Sequence, residues 1–346
     1  MKPGDAPEVA ARRDQAKEID PMNTKRDCTV KPRPAHIVRW DAADEDLRFC
    51  RQIGLRWVRL LCADCDPGLE ALRAVQARLA GHGLQVWSAV HYAARSLRIE
   101  LGRPGRDEDI EAYCTFIRSL GALGIPVAAY DFHPGNTYTT AQARQQGYAS
   151  REFDLDAFRA EHEELRFGRA IPAAEMWANY AYFIRAVLPV AEEAGVSLAL
   201  HPDDPPLPRM HGVDRLFWHV DGYRRGLDIA GGSPAWGINL CVGTWSEGGD
   251  ALGADVFELI DEWGGQNRIF DVHFRNVSGP LPRFVETLPD DGYQDMARVL
   301  RALCDVGYHG ALLPDHIPHL AGDDAFRRAG VAYAIGHTRA LLSQTR

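Results

Sequence analysis

Four short segments of the chain concentrate side chains that hold metals and move protons. In Leu198-Ala199-Leu200-His201-Pro202-Asp203-Asp204-Pro205-Pro206 an apolar, strand-like run stops at a histidine, and two acids and three prolines follow. Proline cannot continue a ladder, so a strand ends here. Asn239-Leu240-Cys241, Val272-His273-Phe274 and Leu313-Pro314-Asp315-His316 repeat the arrangement. Two imidazoles, a thiol and a carboxylate suit a borderline divalent ion such as Mn²⁺, Fe²⁺, Co²⁺ or Zn²⁺, and are wrong for Ca²⁺. Taken singly, a strand-end histidine is more often a satisfied polar residue, and a cysteine after Leu240 more often core filling. Four such residues at four successive strand ends favour a metal site with His201, Cys241, His273 and Asp315 as its ligands.

The elements that must position them alternate between strand and helix patterns. Strands are expected near Ala35–Trp40, Trp57–Leu61, Leu84–Val90, Pro126–Phe132, Val196–His201, Trp236–Leu240, Ile269–Phe274 and Gly310–Leu313. Asp107–Leu123 carries Ile110, Tyr113, Phe116, Ile117 and Leu120 at helical spacing. Ala174–Ala194 is a second helix, ending at Gly195, and Asp295–Val306 a third, ending at Gly307. Eight such units match an α/β fold of the (β/α)8 TIM barrel type, whose strand ends converge on one mouth. That convergence gathers ligands that lie roughly 30–40 residues apart. A doubly wound sheet is the rival, but no Gly-x-Gly-x-x-Gly follows the first strand. Residues 1–33 read as a mobile tail and 34–346 as one barrel domain. The stretch of about 134–172 reads as an insertion after strand four, over the mouth as a lid or an oligomer contact.

A net charge of -9 argues against a nucleic-acid binder. No apolar run is long enough to span a membrane, and no secretory leader opens the chain. Seven scattered cysteines make a poor disulfide framework and fit a reducing cytoplasm. Cys62-Ala63-Asp64-Cys65 is the only CxxC, and two ordinary thiols after a strand is the preferred reading over a redox one. The acidic balance and the insertion are compatible with a homodimer.

Longer segments resemble the mannonate dehydratase family. They are His201-Pro202-Asp203-Asp204-Pro205-Pro206, Asn239-Leu240-Cys241-x-Gly243-Thr244-Trp245, His273-Phe274-Arg275-Asn276-Val277 and Pro314-Asp315-His316. Leu101-Gly102-x-Pro104-Gly105-Arg106-Asp107 and Trp177-x-Asn179-Tyr180-x-Tyr182-Phe183 resemble the family too, and the match runs from about Ala35 to Asp315. The resemblance implies a metal-dependent, xylose-isomerase-like barrel lyase of carbohydrate (glucuronate) catabolism. Such an enzyme takes D-mannonate to 2-dehydro-3-deoxy-D-gluconate and water, usually with Mn²⁺. It implies His201, Cys241, His273 and Asp315 as ligands and His316, beside Asp315, as the catalytic acid/base. Arg275, Asn276 and His91 become the candidates for contact with a small sugar acid.

Departures from the family pattern cluster away from the ligands. Its Arg-Pro-Asp-His-Gly-Arg is Leu313-Pro314-Asp315-His316-Ile317-Pro318 here, and a tyrosine placed soon after has no counterpart before Tyr333. Val-His-Glu-Asp becomes Val90-His91-Tyr92-Ala93, and Asn-Phe-Met-Pro becomes Asp131-Phe132-His133-Pro134. Neither leucine nor proline can fork a carboxylate as arginine does. Weak turnover of D-mannonate is therefore expected, with Arg275 left to meet the carboxylate and Arg95 read as an exposed loop charge. Sugar isomerisation or epimerisation on the same metal-bearing barrel is the alternative.

Overall fold

A computed structural model of the protein describes residues 31–135 and 138–345. Eight strands close a barrel: β1 (Arg33–Arg39), β2 (Trp57–Cys62), β3 (Gln85–His91), β4 (Val127–Tyr130), β5 (Ser197–Leu200), β6 (Trp236–Cys241), β7 (Ile269–His273) and β8 (Ala311–Leu313). Each pairs in parallel with its sequence neighbours, and β1 closes the ring against β8. All eight fall within a few residues of the expected positions. The tail expected over residues 1–33 lies, up to residue 30, outside the described residues. Its end belongs to the fold: Arg33 opens β1, and Lys31 Nζ donates to the Leu342 carbonyl at 2.7 Å.

The helices form where apolar side chains recur on one face. Arg106–Ala122 buries Ile110, Tyr113, Phe116, Ile117 and Leu120, so the stripe read from the sequence is the face laid on the barrel. Ala173–Ala194 buries Trp177, Tyr180, Phe183, Ile184 and Val187 and stops at Gly195, whose φ of 66° suits a residue without Cβ. Met296–Asp305 starts at Asp295, whose carboxylate accepts from the Arg298 amide at 2.8 Å. These faces and the outward strand residues make one continuous apolar core.

The insertion after β4 has structure of its own. Ala141–Gln145 and Tyr148–Asp154 form an antiparallel hairpin, followed by the short helix Leu155–Glu161. Tyr148–Asp154 pairs with Arg283–Thr287 from the loop after β7, which in turn pairs with Asn276–Val277. Phe153, Phe158, Leu207, Met210, Val277 and Phe284 give this second sheet a small apolar core. Ala149 also exchanges backbone hydrogen bonds with His319, so the hairpin is tied to the loop after β8 as well.

Candidate active site

Barrel closure brings the four strand-end donors together. Ligand-type atoms of His201, Cys241, His273 and Asp315 all lie within 4.8 Å of one another. Register accounts for this: Cys241 and His273 are cross-strand neighbours, and His273 pairs with Leu313, two residues before Asp315. His201 Nε2 is 3.1 Å from His273 Nδ1, which is 3.1 Å from Asp315 Oδ2. His201 Nδ1 donates to the Pro202 carbonyl at 2.8 Å, so its Nε2 lone pair faces the cluster. Burial pushes His201 down to about 4 against the pull of Asp204 and Asp315, which keeps the ring neutral. Burial would raise the Cys241 thiol, but Arg275 and His273 outweigh it and hold it below its usual value. Asp315 is held well below the carboxylate range, because His316, His273 and Arg275 overcome its burial.

This donor set fits a divalent ion, and one orphaned atom argues the same way. The Asn239 amide nitrogen sits 3.1 Å from His273 Nε2, while its Oδ1 is buried without a partner. Turned end for end, the amide would accept from an Nε2–H of His273. That tautomer leaves Nδ1, the nitrogen facing His201 and Asp315, free to bind a cation. Arg59 also touches His273 Nε2, and Asp271, 2.9 Å away, remains as its ion-pair partner in that tautomer.

His316 stands beside the cluster with φ of 49°, a left-handed backbone that costs a non-glycine residue about 1–2 kcal/mol. The turn carries Nδ1 to within 2.6 Å of Glu286 Oε1, while Nε2 is 3.4 Å from Asp315 Oδ2. Arg151 of the insertion lies 3.1 Å from the same Nδ1 and 3.5 Å from Glu286. A ring N–H cannot also accept from a guanidinium, so the shorter bond to Glu286 is the one that orients the ring, and Arg151 pairs with Glu286.

Three expected substrate contacts are turned elsewhere. Arg275 is buried among acids, 2.6 Å from Glu247 and 2.8 Å from Asp204, and also donates to the Thr244 hydroxyl oxygen at 3.0 Å. It does not line the mouth cavity. Gly243 makes room for it: a Cβ there would run into the guanidinium. Asn276 donates to the carbonyls of Pro289 and Gln294, at 2.9 Å each, and so braces a loop. His91 points outward, against Phe116 of the Arg106–Ala122 helix at 5.2 Å, because strand side chains alternate and Val90 takes the inward position.

The mouth opens into a cavity of about 340 Å³, within the ~300–1,000 Å³ usual for small-molecule sites. His201, His273, Asp315 and His316 form one side. Arg59, Tyr92, Arg95, Asp131 and His133 form much of the other. Arg95, expected to be an idle loop charge, bridges to Asp131 and lies over the Tyr92 ring at 5.3 Å. Arg59 was hidden in the apolar run of β2, and its one signal was a charge where the alternation demands an inward residue. No local pattern tells what Glu286 and Arg151 meet, since pairing across the second sheet is what brings them to His316.

A closed parallel barrel with a metal-type quartet and a further imidazole at the mouth of its strands belongs among the barrel enzymes. The model of the D-mannonate dehydratase (UxuA) family matches residues 149–341. A mannonate dehydratase of Streptococcus pneumoniae (strain 70585) is 35% identical over 252 residues, covering 65% of this chain and 68% of that one. The crystal structure of the Streptococcus suis serotype 2 mannonate dehydratase superposes with a TM-score of 0.77 at 28% identity, over 90% of this chain and 95% of that one. A D-psicose 3-epimerase of Clostridium cellulolyticum H10, 13% identical over 90% of this chain and 99% of that one with a TM-score of 0.61, shares the fold alone. The chain belongs to the D-mannonate dehydratase family.

Proposed function

We propose that this chain is a hydro-lyase that dehydrates a sugar acid, D-mannonate or a close relative, to the 2-dehydro-3-deoxy acid. The observation that carries the reading is the quartet of His201, Cys241, His273 and Asp315 beside a cavity that also holds His316. We take these four as ligands of one divalent ion, Mn²⁺ by resemblance to the family. Such an ion supplies Lewis-acid stabilisation for the charge that develops on the substrate carboxylate as C2 loses its proton.

The residues divide the proton work between opposed walls. Burial would lower His316, but Asp315 and Glu286 outweigh it and bring the ring up to about 9. It is therefore protonated at neutral pH and suited to give a proton to the departing C3 hydroxyl. Strands β4 and β8 are opposed in the barrel order, so His133 faces the substrate from the other side. Burial, with Arg215 beside it, pushes His133 down to about 4, so its ring is neutral and open to the C2 proton. Arg59 and Arg95 offer the carboxylate the guanidinium partners missing beside Asp315.

The test is a panel of hexonates, with D-mannonate among them, assayed for 2-keto-3-deoxy product with Mn²⁺ added or removed. Product that requires the divalent ion is the expected result. No dehydration of any hexonate, with turnover of an aldose or ketose instead, would establish the isomerase or epimerase reading. A cytoplasmic location and a homodimer belong to the same proposal, the latter checked by light scattering. Among the described residues no helix is long and apolar enough to cross a membrane.

A further inference from the structure

A second cavity, of about 290 Å³, opens beside His316 between β1, the loop after β8 and the start of the helix Arg328–Gln344. Ile37, Leu61, Asp315 and His316 line both it and the mouth cavity, so the two meet at that wall. Arg39, Asp46 and Arg327 are the charged groups that line the second cavity alone. Arg39 is taken up by Asp41, through two bonds at 2.8 and 3.1 Å. Asp46 and Asp324 both pair with Arg328, and Asp323 accepts from the amides of Leu320 and Ala329, at 3.0 and 2.7 Å. Arg327 is left over. Among the described residues its guanidinium has no acid, and its one partner is the Ile317 carbonyl. In the same cavity wall stands His36, 9% exposed and edge-on to Phe326 at 5.4 Å. Its Nδ1 has no partner, so nothing there fixes the ring proton, and the ring can present Nε2 as a donor.

The dehydration proposed above gives the substrate a direction. Its carboxylate lies toward Arg59 and Arg95, C2 toward His133 and C3 toward His316. The chain from C4 to C6 then continues past His316, on the side where the second cavity opens. Resting on that reading, we propose that this cavity is the subsite for the far end of the substrate. Arg327 makes it selective for a sugar acid that ends in a second anionic group at C6, a carboxylate or a phosphate ester. A guanidinium has five N–H donors in a planar fork, and the Ile317 carbonyl occupies one of them. The rest can meet two oxygens of one anion, which is the pairing for which arginine is best suited. A neutral hydroxymethyl end forms no ion pair there, so the dianionic acid gains an interaction that D-mannonate lacks. His36 beside it is placed to bond the neighbouring hydroxyl.

Three acids that differ only at C6 test this on the full chain with Mn²⁺: D-mannonate, 6-phospho-D-mannonate and D-mannarate. The better of the two dianions should exceed D-mannonate in kcat/KM by about tenfold or more, the usual worth of a hydrogen bond to a charged group. Which of the two is better identifies the terminal group as phosphate or carboxylate. Arg327→Leu, verified as folded by circular dichroism, should bring both dianions down to the level of D-mannonate, mainly through KM. Arg327→Lys should restore part of the preference. If none of the three is dehydrated, the dehydratase reading fails by itself, and titration calorimetry with the same acids then reads the subsite. There the dianion should bind about tenfold tighter than D-mannonate, and Arg327→Leu should erase the difference. Parity of the three acids in the natural chain, or a preference that survives Arg327→Leu, would overturn the proposal.

Discussion

The two walls of the mouth use their charges differently. On the β5–β8 side, charges answer one another: Arg275 is enclosed by Asp204 and Glu247, and His316 is held by Glu286 and Asp315. On the β2–β4 side, Arg59 and Arg95 have one acid each, and both line the cavity. The first wall is a dense buried network of paired groups that fixes geometry, with Arg275 Nε and Glu247 Oε2 left without hydrogen-bond partners. The second leaves cationic donors facing the space where an anion would sit. A wall that must hold donor atoms within fractions of an ångström needs internal satisfaction, whereas a wall that recognises substrate must keep capacity unspent.

The comparison breaks first at His316. His316→Asn should lower kcat by about 10²–10⁴-fold with metal content unchanged, read by steady-state kinetics beside elemental analysis. If the ring only orients Asp315, metal affinity falls by about 10–100-fold instead, and excess Mn²⁺ restores the rate. Next comes Arg275→Leu, which strands Asp204 and Glu247 without their cation. It should cost about 3–5 kcal/mol in urea unfolding, and a loss below about 1 kcal/mol would mean that Arg275 does not hold these acids together. On the opposite wall, Arg95→Leu takes the partner from buried Asp131 and should also lower stability, though less than Arg275→Leu because Arg95 is half-exposed, and it should raise KM for an acid substrate by about 10–100-fold, with kcat affected less. An unchanged KM would remove Arg95 from recognition.

The smallest effect is a pH one. Asp204 is buried, and Arg275 with His316 overcomes that burial and holds it at about 2 instead of 3.8. A lowered folded pKa stabilises above the unfolded value, and that stability is lost as pH falls through the folded one. Unfolding free energy should therefore decline between about pH 4 and pH 2, and Asp204→Asn should flatten that decline. A slope unaltered by Asp204→Asn would assign the acid sensitivity to other carboxylates.

The first wall was largely legible in the sequence and the second was not. His201, Cys241, His273 and Asp315 each close or follow an apolar run, so strand ends and donor atoms are read together. Arg59 lies inside such a run, where a charge breaks the expected pattern without saying which group it meets. Arg95 had only its loop position, and exposure was the default reading. His91, expected to meet the substrate, lies against Phe116 outside the cavity, because the alternation that puts Val90 inward turns it the other way. In the insertion the missed cue was Gln146-Gly147, whose φ values of 46° and 92° make the tight hairpin turn. Glu286 and Arg151 were out of reach, since no local pattern reports a pairing between strands some 130 residues apart.

That pairing sets when the chain becomes an enzyme rather than a barrel. Glu286 comes to His316 on a strand whose neighbour is the insertion, and the insertion is itself tied to the loop after β8. Strands β2 to β7 can assemble through contacts between consecutive units, as the nascent chain lengthens. The surroundings of His316 are complete only when the insertion has met the loops after β7 and β8, a closure across some 130 residues of chain. In refolding from urea, activity should therefore return later than the far-ultraviolet signal of the barrel, and simultaneous recovery would show that the loops and the barrel form together.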